Sequence, residues 1–307
     1  MQTMTNKTVV VIGDIMLDQY HFGQVTRLNP ESPNPLLEIT RTDNRLGGAS
    51  NVAANLAAMG CETILIGQLG DDAHGKLVTQ LCEQYKIKLI SFQTAQPTIT
   101  KNRFVETTYN QQLLRADFEE KIVFTSTQQK EILRTLDEIH PTYTIAADYN
   151  KGVLSDELIP HLGRIETKLL VDTKSFKIRD YPNMFLLKPN FKELQEIIGF
   201  QIANTDKAIE NHGIELVKKL WSHLVITRWK EGASLITKEG KYLHLCTAAQ
   251  KIFDVSGAGD TFMAWLVTGL NLDLSLVQAV TLGNEASAIA ISKVWTTIVT
   301  KEELFGK

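Results

Sequence analysis

Cysteine is scarce in this chain. Three occur in 307 residues, at Cys61, Cys82 and Cys246, with no CxxC pair and no metal-ligand spacing. That spacing excludes a disulfide scaffold, argues against a structural zinc centre, and fits a reducing compartment such as the cytoplasm. The seven histidines are scattered and form no HExxH. No apolar run approaches the ~18 residues that span a bilayer. The N-terminal stretch up to Asp14 reads as a first strand, not a signal peptide. Neither sign of charge dominates: 32 basic residues face 35 acidic ones, for a net charge of −3. That balance gives no broad electrostatic reason to bind nucleic acid. The phosphate loop GxxxxGK[ST] is missing, because Leu77 follows Gly75-Lys76 and Tyr242 follows Gly240-Lys241. No GxGxxG follows a strand, which argues against a dinucleotide oxidoreductase.

What is present is an alternation. Short apolar, β-branched runs at Thr8–Gly13, Glu62–Gly67, Tyr143–Asp148, Lys168–Asp172, Met184–Lys188 and His223–Thr227 read as central parallel strands. Helical stretches lie between them: Ala49–Met59, Asp72–Tyr85, Thr127–Ile139, Asp156–Glu166, Phe191–Ile198 and Thr205–Leu220. Gly259–Leu270 and Ser275–Lys293 close the chain as two further helices. The order predicts an α/β fold with right-handed crossovers. No repeat or long linker interrupts it, so residues 1–307 are expected to form one domain. Two segments break the rhythm, about 19–45 and 98–118. Both read as exposed antiparallel strands, a small sheet that serves as a lid over a site or as an oligomer contact.

Several loops at strand ends carry polar residues in suggestive order. Gly257-Ala258-Gly259-Asp260 places a carboxylate beside a nearly bare backbone at a helix start. Backbone N–H groups there can approach an anion. The acid is then placed to take a proton from an attacking hydroxyl, or it simply caps the helix. Gly47-Gly48-Ala49-Ser50-Asn51 opens another helix and suits sugar hydroxyls, or is a plain tight turn. Asp14 ends the first strand, at the sheet edge where α/β folds bind ligands, so it suits a polyol or a turn cap. Asn190 and Glu193 have capping-box spacing, which also presents an amide and an acid to metal-bound phosphate. Thr227 and Gly232 flank the next strand end.

GGASN at 47–51, KPNFKE at 188–193 and DVSGAGD at 254–260 together resemble the signatures of the ribokinase-like (carbohydrate kinase) superfamily. The resemblance runs over about residues 8–300. It implies a three-layer α/β sandwich with a central, mostly parallel sheet and a small β-sheet lid. It also implies transfer of the ATP γ-phosphate to a sugar-type hydroxyl. More narrowly, residues 9–39, 97–120 and DYNKGVL at 148–154 look like the bacterial D-glycero-β-D-manno-heptose-7-phosphate kinases. Those kinases make heptose 1,7-bisphosphate for the lipopolysaccharide inner core. This chain has no HxGH motif, and the resemblance is to the stand-alone kinase form.

By position, the resemblance makes Asp260 the catalytic base and the N–H groups of Gly257 to Asp260 the anion hole. Asp14, Gly47, Gly48 and Asn51 would hold the sugar. Lys101, Arg103 and Arg115 would meet its distal phosphate, with Arg27 and Lys151 as further candidates. Asn190 and Glu193 would serve Mg·ATP, Glu193 reaching the metal through water, with Thr227 and Gly232 lining the nucleotide site. Lys174 stands in Asp172-Thr173-Lys174-Ser175, where those kinases have a DPKG-like motif, and would reach a phosphate. Trp295 in Lys293-Val294-Trp295-Thr296 replaces a KLGT-like turn and is expected near the adenine. ATP and Mg2+ are implied, and a monovalent cation is raised as a further ligand. The expected partners are a phosphosugar and ATP, with no nucleic acid and no membrane insertion, in a homodimer. Another sugar or nucleoside kinase on the same fold, or a non-catalytic sugar-phosphate sensor, remain the alternatives.

Overall fold

The computed structural model describes residues 7–174, 178–247 and 256–306. Ser175, Asp254 and Val255, which belong to motifs read above, lie outside the described residues. The chain opens with β1 (Val9–Gly13), β2 (Ile15–Leu28), β3 (Pro35–Gly48), α1 (Ala49–Ala58), β4 (Thr63–Gly70), α2 (Ala73–Gln84) and β5 (Lys88–Thr94). It continues through β6 (Thr100–Glu106), β7 (Gln111–Phe118), α3 (Ser126–Ile139), β8 (Tyr143–Asp148), α4 (Ile159–Leu162) and β9 (Lys168–Thr173). Then come β10 (Met184–Leu187), α5 (Phe191–Ile198), α6 (Asp206–Leu220), β11 (His223–Thr227), β12 (Ala233–Ile236) and β13 (Tyr242–Leu245). The chain closes with α7 (Ala258–Asn271), α8 (Leu276–Ile291) and α9 (Lys301–Phe305).

Nine of these strands form one sheet in the order β13-β12-β11-β10-β9-β8-β1-β4-β5. It is parallel from β5 to β11, and the antiparallel pair β12 and β13 forms one edge. Successive residues of a strand point to opposite faces. Val9 and Val11 accordingly enter one core cluster while Val10 and Ile12 enter another. Side chains of α1, α2, α7 and α8 pack in the first cluster, and those of α3 to α6 in the second. The result is a three-layer sandwich whose central strands are apolar on both faces.

The remaining strands form a four-stranded sheet, β3-β2-β6-β7. Asp14 is the single residue between β1 and β2, where the chain leaves the large sheet for the small one. The small sheet has its own core of Tyr20, Phe22 and Val105. The segments read as inserted strands are these four, with wider bounds than expected for the first pair. One expected helix is much shorter. Asp156–Glu166 contains only α4, because Gly163 ends it where a side chain would lie 2.1 Å from the Pro182 carbonyl oxygen.

Candidate active site

The glycine-rich turn and the small sheet meet across one open cavity of about 700 Å³. On the large-sheet side, α7 begins at Ala258 without any side-chain cap. The first N–H groups of a helix lack intrahelical acceptors. Those of Ala258, Gly259 and Asp260 are therefore left at the wall of the cavity, at the positive end of the helix dipole. Gly257 has φ 74°, a left-handed conformation. A side chain there would also come within 2.9 Å of the Asn51 amide nitrogen.

Asp260 is 9% exposed, and each of its oxygens has a donor. Asn51 Nδ2 donates to Oδ2 at 2.8 Å, and the Tyr149 hydroxyl donates to Oδ1. Burial pushes the Asp260 pKa up to about 6. The two donors pull against that rise, Asp172 adds to it and Lys188 opposes it. A carboxylate with this pKa remains ionised at neutral pH and is a better base than an ordinary one.

Cations stand beside the turn. Lys188 Nζ lies 2.9 Å from Asp172 Oδ2, and it would be 3.4 Å from a Cβ placed on Gly259. Asp172 Oδ1 is buried without a hydrogen bond. Lys174 pairs with Glu193 Oε1. Burial opposes the Lys174 charge, but Asp172 and Glu193 carry its pKa above the ordinary value. Asn190 and Glu193 form the reciprocal capping box of α5, at 2.9 and 2.8 Å. They also line the cavity, as do Thr227 and Gly232 at the next strand end. Both Glu193 oxygens are thus engaged within the protein. Among the described residues no three acidic, histidine or cysteine side chains gather to hold a metal. This donor set fits Mg2+ held mainly by phosphate and water, which suits that ion's reluctance to shed water.

The small sheet supplies the opposite wall. Its register aligns Arg45, Asp18, Lys101 and Asp117 in one row, and Asp43, Tyr20, Arg103 and Arg115 in a neighbouring one. Asp18, Lys101, Arg103 and Arg115 all line the cavity. Arg103 Nη1 lies 3.0 Å from Asp18 Oδ1, an ion pair with both side chains 7% exposed. Arg115 grips Asp117 through two bonds of 2.7 and 2.6 Å. Burial lowers the Lys101 pKa, with Asp18 acting to restore it.

Three expected sugar contacts stand elsewhere. Asp14 is fully buried, and its carboxylate accepts from the backbone of Tyr149, Lys151 and Val153 at 2.8, 3.1 and 3.2 Å. It caps that loop and does not line the cavity; Asp18, within β2, does. The Asn51 amide is spent on Asp260 and on Asn55. Gly47 acts by absence, since a Cβ there would sit 2.9 Å from Asp18 Cγ. Gly48 lines the cavity at φ 58° and lets Ala49 N–H reach the Asp14 carbonyl at 3.0 Å. Lys151 pairs with Glu119, and the exposed Arg27 pairs with Glu38. Neither lines the cavity. Trp295 is not at its wall either: its ring packs against Tyr20 at 5.3 Å and Phe22 at 5.9 Å.

Comparison with known proteins follows this geometry. Residues 6–303 match the pfkB family of carbohydrate kinases. The chain belongs to that family. Curated relatives include the bifunctional protein HldE of Proteus mirabilis, 36% identical over 303 residues, and that of Histophilus somni, 36% identical over 302. Each match covers 96% of this chain, which spans 62% of those relatives' length. Among solved structures, Escherichia coli phosphofructokinase-2 in complex with potassium superposes with a TM-score of 0.84 at 18% identity, over 98% of both chains. Thermotoga maritima ribokinase gives 0.75 at 18%, again over 98% of both. The fold is therefore ribokinase-like, and the family is one of carbohydrate kinases. No helix among the described residues is long and apolar enough to cross a membrane.

Sequence reasoning gave no role to four residues that line this cavity. Asp18 and Lys188 lay inside motifs already read, and Asp172 lay at a strand end. Tyr149 follows β8, and only the adjacency of β8 and β1 brings it to the same edge.

Proposed function

We propose that the protein phosphorylates D-glycero-β-D-manno-heptose 7-phosphate at its anomeric hydroxyl, giving heptose 1,7-bisphosphate and ADP for lipopolysaccharide inner-core synthesis. The single observation that carries this reading is the make-up of that cavity's two walls. A backbone anion site with a buried acid forms one wall, and Lys101, Arg103 and Arg115 of the small sheet, the two arginines ion-paired, stand on the other. The small sheet is proposed as the lid of a single kinase domain. The narrow sequence resemblance lies in the same strands that carry those cations. In this reading the α7 N–H groups, Lys188 and Lys174 steady the transferred phosphate, and Asn190, Glu193, Thr227 and Gly232 border the nucleotide. Asp18 and Gly48 face the sugar, and Lys101, Arg103 and Arg115 meet the 7-phosphate. Asp260 takes the hydroxyl proton as the oxygen forms its bond to the γ-phosphorus and ADP leaves. Mg2+, held by the nucleotide phosphates and reached from Glu193 through water, would neutralise phosphate charge. Positioned base catalysis is worth roughly 10²–10⁴-fold, and oriented anion donors a further ~10²–10³.

The test is a panel of sugars with and without a terminal phosphate, read by ADP release. Preference for the 7-phosphate is expected, and preference for an unphosphorylated sugar or nucleoside would overturn the substrate. ADP release from no member of the panel would favour a sensor. A monovalent cation is a further proposed ligand, read by comparing potassium and sodium salts. A homodimer through the small sheet, where Leu28, Leu114 and Phe118 are exposed, is read by sedimentation.

A further inference from the structure

Asp260 does not stand alone, and the group that touches it is itself held. The Tyr149 hydroxyl donates to Asp260 Oδ1, while the Tyr149 backbone N–H donates to Asp14 at 2.8 Å. Asp14 also holds the N–H groups of Lys151 and Val153, which fixes the loop after β8. A chain of contacts thus runs from Asp14, through that loop and the Tyr149 side chain, to the proposed base. The Tyr149 side chain lines the cavity, with Lys101 Nζ 5.7 Å above its ring. We infer that Tyr149 is a positioning residue for the transfer: its phenol acts through the Asp260 carboxylate by favouring its ionised form, and Asp14 keeps the phenol in place.

A hydrogen bond donated to a carboxylate stabilises the charged form. Tyr149 can only donate here, because burial and the charge of Asp260 hold its own pKa well above 10. The other charged groups that face Asp260 are Asp172 and Lys188, with Lys174 and Asp18 nearby. Those partly cancel in pairs, Lys188 with Asp172 and Arg103 with Asp18. Asn51 donates to the second oxygen but cannot titrate. Of the two donors, the phenol does more to hold the Asp260 pKa down. This inference rests on the base role of Asp260 for its catalytic meaning, but the contact itself can be read without turnover.

The experiment is a carboxyl-¹³C NMR titration of protein labelled at aspartate, with the Asp260 signal assigned by its absence in Asp260→Asn. Tyr149→Phe keeps the backbone bond to Asp14 and removes only the hydroxyl. The expected midpoint rises by about one pH unit, a tenfold change in ionisation. Fluorotyrosine at position 149, a stronger donor, moves the midpoint down instead, an opposite shift that a merely structural role would not produce. With heptose 7-phosphate and ATP, Tyr149→Phe then loses about fivefold at pH 6, about twofold at pH 7 and almost nothing at pH 8. A midpoint that stays put in both variants overturns the inference. So does a loss of activity that is equal at every pH. If the midpoint moves while Asp260→Asn retains full turnover, the base reading fails and the Tyr149 contact stands.

Discussion

The nine-stranded sheet buries both faces, while the four-stranded sheet buries a small aromatic cluster and leaves Leu114 57% and Phe118 61% exposed. The two contribute to the cavity in different ways. The large sheet offers main-chain geometry: strand ends, the α7 N-terminus and a carboxylate held by two donors. The small sheet offers side chains in charged rows. Packing on both faces fixes atoms closely, as a reacting centre needs. A thinner sheet can exchange its charged side chains without disturbing that centre, which suits substrate choice.

The largest effect should come from the buried wall. Asp260→Asn is expected to lower kcat by roughly 10²–10⁴-fold while ATP binding persists, read by steady-state kinetics beside calorimetric titration. Next, Lys101→Ala on the small sheet should raise the KM for the phosphosugar about tenfold or more and leave that for ATP nearly unchanged. An equal change in both would erase the division between the walls. The acid limb of the wild-type rate comes third. In the proposed role Asp260 acts ionised and its pKa is about 6, so log(kcat/KM) should fall with unit slope below that pH and flatten above it. A flat profile down to pH 5 would remove the base. The smallest effect concerns Trp295, which has φ 74° and covers Tyr20 and Phe22. Trp295→Ala should speed amide exchange in β2 and β6 and spare β1 and β8, as measured by hydrogen exchange.

The large sheet was easily read from the sequence, because β-branched runs buried on both faces leave an unbroken apolar signature. Tyr143–Asp148, His223–Thr227 and Phe191–Ile198 have the expected bounds. Strands at the two ends of the sheet were harder. β5 and the hairpin of β12 and β13 went unassigned, although Ala233–Ile236 and Tyr242–Leu245 flank a turn at Gly240. In the site, the glycines and Asp260 were legible because helix-start chemistry is local. Asp14 and Asp18 were not told apart, since the chain changes sheets between them and no pattern shows that. Tyr149 lay in the DYNKGVL stretch without a role for a related reason: its partner is 111 residues away in sequence.

The account's central claim is that the two walls serve one transfer, with the small sheet reading a distal phosphate. Phosphorus NMR of purified protein with ATP and heptose 7-phosphate, run beside the same heptose without its 7-phosphate, tests it directly. The account predicts ADP and a new anomeric phosphate signal from the 7-phosphate, with kcat/KM at least tenfold above that of the unphosphorylated sugar. Equal turnover of both sugars, or none of either, would contradict it.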